Sequence, residues 1–522
     1  MHLRMLTAAA CLGLGACTTN PQPFTMAENA ARTSADVAEL ENLSPQPSGP
    51  ISLEEAEARA LAYNLDSRLQ MFNAALQDRQ LDLTKLDMLP NLTANAGYVA
   101  RNPPLVSSSA SYQNGQILPS NFQTVSVDND RVFGDLTLSW NVIDFGVSYL
   151  QAKQQADRVL IAKEQRRRVV HNIFQQVRSA YWTAAAAEAV RPRLKPILAE
   201  ARRALGSSRS LEAARAQQPL ESLRYQRALL EIIQELESVD DKLAIAKAQL
   251  AQLMGLRPGT PYALAVPRSA AMPRVRFSVS EMEQLALLNR PELREEGYNA
   301  RVTQQEGRRA LLRLVPGINL VSSLNYDSNS YLLYNNWQEA GGRIAASLIH
   351  LMSVPGVIKL NEAQTQIAET RRLATTMAVL AQVQISAQQY QIARKTYERA
   401  RSIADVNRRI AGLSADTQQA ETSSDLDLIW EKANSVMAEL RRNRAYADLQ
   451  NASASIYATL GLDPVPENAD GRDLKSLVAA IRQRASEWQA GKVALPSLEQ
   501  TAQAEQPTVV EKTAMVDANA RH

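Results

Sequence analysis

The chain has 522 residues, 45% of them apolar, and 57 Lys and Arg against 54 Asp and Glu leave a formal charge of +3. A balance so near neutral, with both signs interspersed, implies no nucleic-acid partner, and the lack of any run of 18 or more apolar residues excludes a membrane-spanning helix. Both cysteines, Cys11 and Cys17, lie in the first 17 residues, so disulfides and Cys-based metal sites are excluded from the body of the protein, and no two of the four histidines form a close-spaced ligand pair.

In chain order, residues 1–16 read as a signal peptide, with Arg4 as its positive end, Met5 to Leu14 as a short apolar stretch, and small residues at Gly15 and Ala16. Leu14-Gly15-Ala16-Cys17 resembles a bacterial lipobox, which makes Cys17 the lipid-attachment residue; several acyl chains such as palmitate on one residue anchor stably. Thr18 after it, rather than Asp, resembles the signal for sorting to the outer membrane. Residues 17–50 lack sustained periodicity and are expected to form an extended, lipid-anchored tether.

A repeat follows. Ile51-Ser52-Leu53-Glu54-Glu55-Ala56 opens a helix much as Phe277-Ser278-Val279-Ser280-Glu281-Met282 does, and each helix ends at a proline, Pro90 or Pro316, followed by an alternating strand. Both offsets are 226, whereas the closing landmarks Leu253-Met254-Gly255-Leu256 and Thr459-Leu460-Gly461-Leu462 are offset by 206, so the first copy carries 20 extra residues (226 less 206). The loop from Val99 to Val132 is their expected place. Residues 51–258 form the first copy and 277–464 the second. Pro258, Pro261, Pro267 and Pro273 mark an extended connector over 259–276, and residues 465–522 are expected to be a partly disordered tail.

Within the first copy Leu92, Ala94, Ala96 and Tyr98 alternate with polar residues or Gly, and Leu136, Leu138, Trp140 and Val142 do so again. The second copy shows the pattern at Ile318, Leu320, Leu324 and Tyr326, and more weakly from Arg343 to Leu351. Such strands would put one face on lipid and one on water; the same alternation would also serve a small soluble sheet capping a helical domain. Four strands cannot close a wide barrel, and an open sheet edge is forbidden in lipid, so a membrane sheet must be completed by other subunits. Tyr98, Trp140, Tyr326, Tyr331, Tyr334 and Trp337 suit an interfacial aromatic belt.

Beyond Gly146 some 65 residues run without a turn signal. Val170, Ile173, Val177, Ala180, Ala184 and Ala187, then Leu194, Leu198, Ala201 and Leu205, form a coiled-coil seam. A returning helix matches it with Leu229, Ile233, Leu236, Val239, Leu243, Ala246, Leu250 and Leu253. Pro192 and Pro196 either kink the first helix or end it.

The order of a Leu-rich opening helix, Leu89-Pro90, a strand ending Trp140-Asn141-Val142-Ile143-Asp144-Phe145-Gly146, then Val177-Arg178-Ser179-Ala180-Tyr181 and Leu253-Met254-Gly255-Leu256 resembles the TolC-like outer-membrane efflux proteins over about residues 51 to 464. The resemblance implies a mostly α fold with a small β part. Duplicated long-helix hairpins form an α-helical barrel, and four transmembrane strands per protomer contribute to the β-barrel of a homotrimer. It further implies a passive exit duct of a tripartite efflux or type I secretion system in the cell outer membrane, with a periplasmic adaptor and an inner-membrane transporter as partners and no cofactor besides the lipid on Cys17.

Hairpin tips that contact the adaptor are expected near Arg215, Gln218 and Pro219 and near Glu421, Ser423 and Ser424, because Ser before a helix and Pro in its first turn signal a start. Gly206 and Gly412 are the alternative turns. Asp425-Leu426-Asp427-Leu428-Ile429-Trp430 stands where the family carries acidic residues around its periplasmic aperture. Asp427 matches the first acidic position, while Trp430 replaces the second and Glu421 stands where Gly is usual. Asp427 and Asp425 are thus aperture candidates, and equally a favourable charge at a helix N-terminus. No GxxxxGK stretch and no recognisable catalytic constellation occur, so the chain is read as a non-enzyme driven by partners. A lipid-anchored coiled-coil scaffold without a pore is the competing reading.

Overall fold

The computed structural model describes residues 21–108, 111–113, 115–118, 123–214, 219–265, 271–347, 349, 352–419, 425–465 and 473–493. The elements come twice in the same order. Two short helices, α2 (Leu53–Tyr63) and α3 (Leu65–Leu86), lead into β1 (Asn91–Ala100). After a long loop bearing β2 (Val106–Ser108), β3 (Ser111–Gln113), β4 (Gln116–Leu118) and β5 (Gln123–Val125), β6 (Asp130–Asn141) runs straight into α4 (Val142–Ala213), and α5 (Pro219–Leu253) returns. The second copy repeats this as α6 (Val279–Asn289), α7 (Pro291–Leu312), β7 (Gly317–Asp327), β8 (Asn336–Ala345), α8 (Val354–Gln419) and α9 (Asp425–Thr459). The paired short helices match in length at 11 and 22 residues, and the returning helices at 35. The loop between strands spans 101–129 in the first copy but only 328–335 in the second, which accounts for the extra residues.

Local chemistry explains where the single opening helix expected of each copy divides into two. The Asn64 side-chain oxygen accepts from the amides of Asp66 and Ser67, capping α3 and ending α2, while Pro291 supplies a preformed first turn for α7. Asn141 caps α4 in the same way through Ile143 and Asp144, so the strand expected to run to Gly146 stops at Asn141. The fourth strand also lies earlier than Arg343 to Leu351: the ladder with β7, from Tyr326 opposite Asn336 to Gly317 opposite Ala345, fixes it at 336–345, where Gly341 and Gly342 hid the alternation.

α4 continues unbroken through Pro192 and Pro196 for 72 residues, on the order of 100 Å. Its flanking Val190, Leu194 and Ile197 are buried in the seam, and this packing outweighs the hydrogen bonds that the two prolines remove. The expected seam is the main core. Ile173, Val177, Ala180, Ala184, Ala187, Leu194, Ala201 and Leu205 of α4 bury against Leu229, Ile233, Leu236, Val239, Leu243, Ala246 and Leu250 of α5. Each of the fully buried leucines contributes about 2–3 kcal/mol by area, and the alanines let the two axes approach.

Adjacent helices lie side by side as a wall. Its upper part, next to the sheet, runs α3, α4, α7, α8; its lower part runs α5, α4, α9, α8. At mid-height α5 therefore stacks beneath α3, and α9 beneath α7. Asn64 donates to the Leu253 carbonyl at 3.2 Å, and Arg290 to that of Thr459 at 3.4 Å. Gly255 and Gly461 end the lower helices at φ of 69° and 70°, each with the 6→1 hydrogen bond of a Schellman turn. A Cβ on Gly255 would lie 2.7 Å from Cβ of Tyr63, and one on Gly461 2.6 Å from the Asn289 carbonyl. These two glycines are the joints of the wall.

Both expected irregular ends hold a helix. In the tether, α1 (Met26–Asn42) has a complete capping box between Thr25 and Glu28, yet none of its residues is buried. In the tail, α10 (Leu474–Gln489) is capped by Asp473 and buries Leu477 and Ile481 against Ala58 of α2 and Phe174 of α4. The helix formed because Leu474, Leu477, Val478 and Ile481 make one apolar face, a periodicity too short to stand out in a polar tail.

Candidate channel wall, aperture and anchor

The four long strands form one antiparallel sheet in the order β1-β6-β7-β8, open at both edges. Residues directly opposite share a face, so the register sorts the sheet into two sides. One carries Leu92, Ala94, Tyr98, Val132, Leu136, Leu138, Trp140, Ile318, Leu320, Leu324, Tyr326 and Ile344; the other carries Asn95, Asp135, Thr137, Ser139, Asn319, Ser323, Asn325 and Asp327. The sheltered face is the polar one. Ser323 and Asp327 are each 8% exposed, whereas Leu136 is 41% and Leu324 52% exposed. A soluble sheet packs its apolar side inward; here the order is inverted.

The polar side is a hydrogen-bonded network. The Asn95 amide donates to both Asp135 carboxylate oxygens at 3.0 and 3.3 Å, and the Thr137 hydroxyl donates to one of them at 2.7 Å. Toward the loops, Arg131 pairs with Asp327 and its guanidinium lies over Phe133, and the Phe133 ring covers Gly97 across the strand. Beyond the strands, Asn329 donates to the Ser126 carbonyl and Ser330 to Asp128, lacing the two loops together. Trp337 lies opposite Asn325, on the polar side, so it leaves the expected lipid-facing belt; Tyr98, Trp140 and Tyr326 stay on the apolar side.

The helical wall is also open at both edges. α3 exposes Leu65, Leu69, Phe72, Leu76, Leu83 and Leu86 in steps of three, four and seven, and α8 exposes Ile367, Ile385, Ile392 and Ile403 on one face. Among the described residues no helix is long and apolar enough to cross a membrane.

At the far end of the hairpins, α4 stops at Ala213 and α5 starts at Pro219, while α8 stops at Gln419 and α9 starts at Asp425. Gly206 and Gly412 lie inside α4 and α8, which removes them as turns: neither sits at a helix C-terminus, where Gly acts as a cap. Asp425 opens α9 and Asp427 sits exposed in its first turn. Arg215, Gln218, Glu421, Ser423 and Ser424 lie outside the described residues, as does Cys17.

Sequence reasoning missed the charged belt at mid-height. Asp463, two residues past the Gly461 joint, accepts from His171 at 2.9 Å and pairs with Arg167 at 3.0 Å, tying the end of the second copy to α4. Burial pushes its carboxyl up, but the His171 hydrogen bond and the Arg167 charge outweigh this and hold it below the usual range. Glu57 of α2 is fully buried and accepts from Arg178 of α4 at 2.7 Å; burial pushes its carboxyl up to about 7 against the opposing charge of Arg178. The seam between α4 and α7 is likewise polar, with Gln154 donating to Glu306 at 2.9 Å and Arg301 pairing with Asp157. Val177-Arg178 is a landmark of the sequence, but nothing in one sequence pairs it with Glu57.

Neither a family model nor a curated protein sequence matches the chain. Solved structures do. The Campylobacter jejuni CmeC outer membrane channel is similar with a TM-score of 0.64 at 13% identity, over 86% of this chain and 94% of that one. The outer-membrane channel OprN gives 0.60 at 17% identity, covering 78% and 89% respectively. The open state of the Neisseria gonorrhoeae MtrE outer membrane channel gives 0.59 at 17% identity, covering 81% and 94%. The chain has the TolC-like outer-membrane-channel fold, mostly α with a small sheet.

Proposed function

We propose that this chain is the outer-membrane duct of an export machine, assembled as a homotrimer and passive in itself. The observation that carries the reading is the inverted sheet, whose bare side is apolar and whose sheltered side is polar, as a lipid-facing, water-filled barrel requires. Both sheet edges are open, and an open edge has no place in lipid; three copies at four strands each close a barrel of twelve. The same operation seats the exposed leucines of α3 against the exposed isoleucines of the next copy's α8, which closes the helical tunnel. Fold likeness to the CmeC, OprN and MtrE channels supports the reading.

In this reading lipid on Cys17 anchors each copy in the outer membrane. The hairpin tips around Arg215, Gln218, Pro219, Glu421, Ser423 and Ser424 meet a periplasmic adaptor, and an inner-membrane transporter supplies energy and selects cargo. Three copies of Asp427, with Asp425, narrow the aperture by ringing it with carboxylates. The test replaces Cys17 with Ser behind a cleavable signal. A duct remains inserted as a detergent-dependent trimer and conducts in planar bilayers, whereas a monomer or dimer released into the soluble fraction would establish a lipid-anchored scaffold instead.

A further inference from the structure

We propose that the inner, polar side of the sheet carries a binding site for organic cations, built on Trp337 together with Asp135 and Glu339. The inference rests on the reading of that side as the lumen. Asn95, Asp135, Asn325 and Trp337 stand directly opposite one another on the four strands and so form one row across the whole sheet. The row borders a hollow of about 610 Å³. Glu339 is two residues from Trp337 on β8, hence on the same side, and opposite Ser323.

The chemistry of this hollow is one-sided. Asp135 is held by two neutral donors, Asn95 and Thr137, and, among the described residues, neither it nor the exposed Glu339 makes a salt bridge. Of the cations on this side, Arg131 stands two rows from Asp135 and is engaged by Asp327, and Arg343 stands two rows from Glu339 in the opposite direction. Two carboxylates with no directly paired cation among the described residues thus flank an indole whose face attracts positive charge, and the amide oxygens of Asn95 and Asn325 add acceptors. An ammonium group on an aromatic or alkyl body satisfies all of these at once: its charge meets the carboxylates and the ring face, and its apolar part stacks on the indole. Neutral aromatic ligands would leave the carboxylates unused, and anions would be repelled.

Benzyltrimethylammonium is the probe, titrated calorimetrically into the full-length protein in detergent, with benzenesulfonate as the anionic control and maltotriose as a neutral stacking ligand. Saturable binding of the cation alone is expected. Trp337→Ala should weaken it about five-fold and Trp337→Phe much less; Asp135→Asn and Glu339→Gln should each weaken it about three-fold, while Ser322→Ala, on the other side of the sheet and away from the hollow, leaves it unchanged. No saturable binding, binding that survives Trp337→Ala, or preference for maltotriose with indifference to Asp135→Asn would each overturn the proposal. Calorimetry needs no open pore, so a protein that conducts in bilayers but binds no benzyltrimethylammonium defeats this inference and leaves the duct intact.

Discussion

Leu136 sits near the middle of β6, six residues from Asp130 and five from Asn141, on the apolar side with Ala94 and Leu324 as its row neighbours. Twelve residues at about 3.3 Å give a strand of roughly 40 Å, which at a tilt near 40° spans about 30 Å, so in the proposed duct Leu136 lies close to the bilayer midplane. Leu136→Arg therefore places a guanidinium in lipid at about 2–4 kcal/mol per copy, or roughly 6–12 kcal/mol for a ring of three. That is comparable with the whole stability of an ordinary domain. The adjacent Thr137→Arg points to the water side and should cost no more than the hydrogen bond its hydroxyl gives Asp135, about 1 kcal/mol. Heat- and SDS-resistance of the trimer, and the amount recovered in outer membranes, measure the difference. Normal assembly of Leu136→Arg, or equal damage from both changes, would refute the assignment of the two sides.

At the joints, Gly461→Ala puts a Cβ against the Asn289 carbonyl and forces an unfavourable positive φ, so a loss of at least about 1–3 kcal/mol is expected. The helical Gly206 has open space around it, and Gly206→Ala should instead stabilise by up to about 1 kcal/mol; thermal melts of the two variants compare them. The folded pKa of Glu57, near 7, lies above its ordinary 4.5, so the fold favours the protonated form. The stability it contributes is complete below pH 4.5 and is lost as the pH rises through 7. Glu57→Gln should flatten that slope in denaturant titrations between those values, and an unchanged slope would exclude Glu57 as its source. If Asp427 rings the aperture, Asp427→Ala raises single-channel conductance and weakens its response to divalent cations; unchanged values would leave Asp427 only the role of a helix-terminal charge.

The repeat, the strand faces and the coiled-coil seam were legible because each is a periodicity, and periodicities survive in one sequence. Leu229 to Leu250 announce their burial by spacing alone, and Asn141 announces a cap once the helix after it is known. Two kinds of feature were not legible. Short amphipathic helices such as Leu474–Gln489 show two or three apolar turns at most, too few to stand out against a polar tail. Pairings between distant residues, such as Glu57 with Arg178 or Asp463 with His171, depend on how the columns stack, and spacing says nothing of that. Trp337 departs from the expected belt for a related reason: its register depends on β7, and the weak alternation of β8 conceals which side it faces.

The wall combines two ways of building a long rod. α4 and α8 are single helices, so a twist applied at one end is carried by an unbroken ladder of backbone hydrogen bonds. The rods beside them are each assembled from two pieces that abut at Gly255 or Gly461, held there by contacts such as Asn64 with Leu253. Such a butt joint resists compression but passes little torque. The lower pieces α5 and α9 are therefore the parts that can roll about their own axes at the cost of side-chain repacking alone, while the continuous rods keep the length of the wall fixed.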